Sequence, residues 1–120
     1  MPPKPQVKPE DDDATNLLPD HIREQLPALY ETEGQEDATV IVKFFCPWGS
    51  WSWYAVEGSP DDKEVEGDQA DFRFFGLVDG HYKELGYFVL SELQGIRGPG
   101  GLTIERDLYF KQQPLSTFRK

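Results

Sequence analysis

Two runs of β-branched and aromatic residues, 70–78 and 82–89, flank Asp79-Gly80, and this junction constrains the fold more than any other feature of the chain. Glycine enters positive φ without a Cβ clash, so Asp-Gly between apolar runs predicts an antiparallel hairpin. Gly86 in the returning strand marks a bulge or a point of close packing. A second pair of runs lies upstream. Residues 38–46 are apolar on both faces apart from Lys43, which predicts a central strand. Pro47-Trp48-Gly49-Ser50 has turn chemistry. Residues 51–57 then alternate, with Trp51, Trp53 and Ala55 on one side and Ser52, Tyr54 and Val56 on the other. The two upstream runs are close enough to form a hairpin of their own.

The helical signals are few and short. Leu18, Ile22, Leu26 and Leu29 recur at helical spacing, with Asp20, Arg23 and Glu24 on the opposite side. Pro19 suits a first turn, and Pro27 breaks or re-aims the helix after Leu26. Ser91-Glu92-Leu93-Gln94 has the form of a capping box, with Gly95 placed to stop the helix. Residues 97–101 hold three glycines and a proline and form a loop; residues 102–110 around Glu105-Arg106-Asp107 are either an edge strand or another helical turn. Four prolines in the first nine residues, followed by acids at 10–13, predict a disordered Pro-rich, acidic tail over 1–13. Residues 112–120 lack pattern and read as a C-terminal tail. The expectation is one α+β domain over 14–111, within the usual size of a single core. Its body is an antiparallel β-meander of four to five strands, with an N-terminal amphipathic helix and a short helix after strand 4.

Charge is concentrated rather than spread. The 120 residues carry 22 acidic and 12 basic side chains, for a net charge of −10. Residues 31–71 hold eleven acids against Lys43 and Lys63, whereas residues 72–120 have seven basic and five acidic side chains. A body of this sign repels phosphate and argues against duplex binding through the acidic face. No apolar run approaches the roughly 20 residues needed to span a bilayer, and the first residues lack the apolar stretch of a secretory signal. Cys46 is the only cysteine, which excludes an internal disulfide and a closed Cys-rich zinc site. A reducing cytoplasm is the expected compartment.

Catalytic signatures are absent from the sequence. There is no His-Glu-x-x-His, no Cys-x-x-Cys and no Gly-x-Ser-x-Gly. The glycines at 95–101 lack the Lys-Ser/Thr ending of a phosphate loop. His21 on the first helix and His81 beside the hairpin turn read as solvated side chains, and Cys46 as a packing residue at a strand end. Glu57, Glu84, Glu92 and Glu105 could pair as acid and base or bind a hard cation if the fold brought them together. The bland alternative is salt bridging with Lys43, Arg73 and Arg106. Asp61 to Asp68 lacks the glycine and closing glutamate of a calcium-hand loop. No catalytic residue, metal ligand or cofactor is assigned.

A set of blocks resembles one bacterial family. Phe75-Gly76-Leu77-Val78 with Gly80, Glu84-Leu85-Gly86-Tyr87-Phe88 with Leu90-Ser91-Glu92-Leu93, and Glu105-Arg106-Asp107-Leu108 occur in that order. They follow Leu17-Leu18-Pro19, Leu26-Pro27-Ala28-Leu29-Tyr30, Lys43-Phe44-Phe45 and Trp51-Ser52-Trp53-Tyr54. Together they resemble the family catalogued as domain of unknown function 2958, over residues 16–111. The resemblance implies a small cytoplasmic protein of the kind often encoded on plasmids, integrative elements or phages. It carries no activity and no site residue.

The functional expectation is therefore a non-enzymatic, acidic protein-binding module. Rows of carboxylates can imitate phosphate spacing and occupy the basic groove of a nucleic-acid-handling or defence complex, as a mimic or regulator. The residues expected to carry this are Asp61, Asp62, Glu64, Glu66 and Asp68, with Trp48 as an exposed apolar anchor. The partner expected is a basic protein surface, with no membrane. The competing expectation is a small carboxylate-dependent hydrolase or metal-binding protein built on Glu57, Glu84, Glu92 and Glu105. A homodimer through an exposed edge strand is the third.

Overall fold

The computed structural model describes residues 13–61 and 71–120. Helix α1, Asp20–Gln25, begins directly after Pro19, which supplies extended backbone at the N-cap, and stops at Leu26 because Pro27 disfavours helical backbone before it. Two short elements follow, β1 at Thr39–Val40 and β2 at Val42–Phe45. Strands β3 (Ser52–Asp61), β4 (Asp71–Asp79) and β5 (Lys83–Val89) continue as hairpins. Helix α2, Leu90–Gly95, leads through a 3-10 turn at Pro99–Gly101 to β6, Glu105–Arg106. The chain closes with β7, Gln113–Pro114, and α3, Ser116–Arg119.

The main sheet is antiparallel in the order β5-β4-β3-β2-β6, and a second small sheet pairs β1 with β7. Four strands form the expected meander, and β6 returns to the far edge beside β2, with Phe44 opposite Arg106. Buried Arg106 also ties down the segment before α1: its Nε donates to the Asn16 carbonyl at 2.9 Å and its backbone N–H to the Ala14 carbonyl at 2.7 Å. At Gly76 the absence of a side chain is required, because a Cβ there would lie 1.8 Å from the Tyr54 carbonyl oxygen across the ladder.

One face of the sheet packs Phe44, Trp53, Phe72, Phe74 and Phe88 against Ile22 and Leu26 from α1 and Leu93 from α2. The other face carries Val40, Tyr54, Val56 and Leu77, covered by Leu115 and the partly buried Phe110 and Phe118. Tyr54 and Phe118 stack with ring centres 4.5 Å apart.

Several expectations need correction. The run 38–46 is not one central strand: the ladder breaks at Ile41, because Val40 pairs with Gln113 whereas Val42 pairs with Ala55. Gly86 is no bulge, since it lies in register opposite Gly76; the irregularity falls between Ala55 and Glu57. Ser91 does not close a capping box, because its hydroxyl is taken by Asp71 of β4. Residues 112–120 are not a loose tail: β7 pairs with β1, and Leu115 is buried in the second cluster. A segment this short shows no period in sequence, and its burial depends on a partner strand far away in the chain. Of the expected N-terminal tail only Asp13 is described; residues 1–12 lie outside the described residues.

Candidate functional site

The register shift in β3 decides where Glu57 points. Strict alternation would place Glu57 with Trp53 and Ala55 on the helix-covered face. The bulge instead sets Ala55 opposite Gly76 and Glu57 opposite Phe75, so Glu57 turns to the other face. There it is 3% exposed. Its Oε1 accepts the Tyr30 N–H at 2.8 Å, and its Oε2 accepts the Thr32 N–H at 2.7 Å and the Thr32 hydroxyl. Two further bonds fasten the same segment to β3: the Leu29 N–H donates to Ser59 Oγ at 2.9 Å, and the Gly58 N–H donates to the Pro27 carbonyl at 2.9 Å.

This lock holds Tyr30 in an unusual conformation. Its φ is +75°, in the left-handed region that costs a non-glycine residue about 1 kcal/mol or more. The backbone N–H at the strained position is one that Glu57 accepts, so the carboxylate compensates the strain directly. The consequence is a tyrosine that stays more than half exposed on a fixed turn.

Beneath Tyr30 lies a groove of about 350 Å³. Its floor is the cross-strand row Glu57, Phe75 and Tyr87, which runs from the buried carboxyl to the sheet edge at β5. One wall is the segment 32–37, with Glu33, Glu36 and Asp37; the other is α3, with Arg119. Asp37 joins the two walls by accepting the Ser116 N–H at 2.9 Å and the Ser116 hydroxyl at 2.6 Å. Those bonds hold its carboxyl below the ordinary range, with a smaller contribution from Arg119. The Tyr87 phenol is held above its ordinary value, first by desolvation and then by the Tyr30 phenol, Glu33 and Glu57 around it. Tyr87 packs on Phe75 at 5.0 Å between ring centres.

The residues expected from sequence are placed differently. Asp61 ends β3 and forms an ion pair with Arg73 at 3.1 Å, with its side chain mostly buried. Asp62, Glu64, Glu66 and Asp68 lie outside the described residues. Trp48 is half-buried rather than an exposed anchor: it packs over Gly98, where an added Cβ would meet the indole at 2.4 Å. It borders an apolar hollow of about 320 Å³ with Cys46, Trp51 and Trp53 at its sides. Cys46 is buried, and His81 meets Trp51 edge to face at 5.4 Å.

The four carboxylates of the competing reading do not converge. Glu84 stands on β5 and Glu105 on β6, at opposite edges of the five-stranded sheet. Four strand spacings separate them by about 19 Å, well beyond the roughly 5–10 Å of a glycosidase pair. Glu92 lies on α2, and Glu57 is committed to the 30–32 turn. Among the described residues no three His, Cys, Asp or Glu side chains group as a metal site, and no helix is long and apolar enough to cross a membrane.

Sequence reasoning missed the groove and the role of Glu57. The available signal was an acid closing an apolar alternation, which marks either a strand end or a re-aimed side chain. No curated protein and no solved structure matches the chain. Residues 17–120 match the family described as protein of unknown function DUF2958, and the chain belongs to that family.

Proposed function

We propose that the protein is a non-enzymatic binding module that takes a basic protein surface on its acidic side. The observation that carries this reading is the acidic segment 30–37, held on β3 by the Glu57 carboxylate. Glu57 anchors the 30–37 segment, with Glu31, Glu33, Glu36 and Asp37, while Asp61 begins the acidic run continued by Asp62, Glu64, Glu66 and Asp68. Four residues of extended strand place these two anchors about 13 Å apart. Carboxylates gathered on one fixed segment make a field that steers a cationic partner and makes association depend steeply on salt.

A basic groove that ordinarily receives nucleic acid is the partner chemistry this field suits. A nucleic-acid-handling or defence complex of a host cell fits the mobile-element setting that the family resemblance implies. The test is capture from the native host at low and high salt. The comparison is a variant carrying Asn or Gln at Asp61, Asp62, Glu64, Glu66 and Asp68. Loss of basic proteins from the captured set in that variant supports the reading. Undiminished capture at low salt removes it.

A further inference from the structure

The groove has more definition than a charged surface requires. Its volume of about 350 Å³ lies at the low end for ligand pockets, which suits one inserted side chain and its flanking backbone rather than a large cofactor. Its floor is apolar and aromatic where Phe75, Leu85 and Tyr87 remain uncovered, and Tyr30 is fixed above it by the Glu57 lock. It opens at β5, the outer strand of the sheet, one side of which has no pairing partner among the described residues.

Charge selects the occupant. Two cations stand near: Arg73, with its guanidinium 6.0 Å from the Tyr87 ring centre, and Arg119 on the wall. Arg73 is matched by Asp61 at 3.1 Å; Arg119 acts on Asp37 only at longer range, and it is one cation against Glu33, Glu36 and Asp37 on the groove walls. Glu33 and Glu36 face the groove without an ion-pair partner among the described residues. An anionic or neutral guest would leave them unmatched, whereas a guanidinium can stack on tyrosine and pair with carboxylate together.

We propose that this groove binds an extended basic segment of a partner protein, with one arginine side chain entering across β5 beside the paired Tyr30 and Tyr87 towards Glu33. The inference rests on the reading of the chain as an acidic binding module and names the part of the partner that is recognised. Tyr87 supplies an independent reporter. A guanidinium beside its phenol favours the phenolate, so occupancy lowers the phenol's titration midpoint from its raised position.

The test uses the full chain, isotope-labelled, and a short synthetic peptide of alternating arginine and threonine. The same peptide with citrulline for arginine keeps the shape and removes the charge. Expected are amide shifts at Tyr30, Thr32, Glu33 and Tyr87, a fall in the Tyr87 phenol midpoint, and loss of both with the citrulline peptide. Replacing Glu33 and Glu36 together by Gln should weaken binding about tenfold, a loss of roughly 1.4 kcal/mol. Tyr87→Ala, at a half-exposed position, should weaken it about fivefold while leaving the fold intact. Shifts that map elsewhere, or binding unchanged within twofold in both groove variants, overturn the proposal. If the five-amide variant at 61–68 loses the peptide while the groove variants keep it, the groove assignment fails and the acidic-module reading stands. If native-host capture also survives that five-amide substitution, the wider reading fails as well.

Discussion

The two faces of the main sheet are closed to different degrees. The face under α1 and α2 is packed with aromatic side chains, and Phe44 and Phe74 are fully buried with ring centres 5.4 Å apart. Among the described residues the opposite face is covered by the segment 29–37, β1, Phe110, β7 and α3, and that cover leaves a groove towards β5. Both faces belong to the same strands, so the difference comes from what lies over them. The closed face supplies stability through area removed from water. The open one retains aromatic surface beside carboxylates and buries an acid, Glu57, through a break in register, whereas the charged side chain buried at the edge of the closed face is Arg106.

Adjacent residues of β4 allow the sharpest test of this division. Phe74 points into the closed face and Phe75 onto the groove floor. Phe74→Ala should cost about 4 kcal/mol, because a large cavity opens among Phe44, Phe72 and Phe88. Phe75→Ala should cost only about 1 kcal/mol, since the half-buried ring leaves a groove that water already enters. Denaturant unfolding of the two variants measures both. Equal losses would mean the faces share the burden, and the contrast would be lost.

Next in size is Glu57. Replacing it by Ala removes the acceptor for the Tyr30 and Thr32 amides and should cost about 3 kcal/mol. Part of this loss is structural and part is release of the Tyr30 turn, so hydrogen exchange at those two amides should quicken beyond the global change. An unaltered exchange rate at Tyr30 would show that the turn holds without its carboxylate. In that event Glu57 would only fill space under the turn, and the open face would lose its organising residue.

How far each face was legible from sequence follows the same division. The closed face is written in local pattern: the turn after Asp79, where the hairpin forms although Gly80 does not take the expected positive φ, the alternation around Trp53 and the prolines bounding α1 each act within a few residues. These lead to the meander and the first helix; the helix after β5 is read from Ser91 to Gly95, where a helix does form but without the expected capping box. The open face depends on long-range events. The shift between Ala55 and Glu57 reverses a side chain inside an unbroken alternation, and the pairing of Thr39 with Pro114 spans most of the chain. Periodicity cannot report a partner that distant. The acidic character of the region was legible from charge alone, whereas the wall formed by Asp37 and Ser116 was not, because a hydrogen bond across 79 residues leaves no pattern.

The smallest expected effect concerns acid. Asp71, at the start of β4, accepts the N–H groups of Phe72 and Ser91 at 2.8 and 3.0 Å, as well as the Ser91 hydroxyl, and so fastens β4 to the first turn of α2. Burial pushes its carboxyl up, but these bonds and Arg73 outweigh that and hold it below the ordinary carboxylate value. A folded-state value below the unfolded one gives stability that is complete above about pH 4 and lost as pH falls through the folded value. Asp71→Asn should therefore be less stable than the native chain at neutral pH, and the gap should narrow below about pH 4, where the native carboxyl is also neutral. Urea midpoints between about pH 2.5 and 6 would register this. Asp37 carries the same sign on the open face, through its bonds to Ser116. A gap for Asp71→Asn that stayed constant with pH would mean its role is the shape of the side chain and not its charge. The acid response of the fold would then rest with carboxylates such as Asp37 on the groove side.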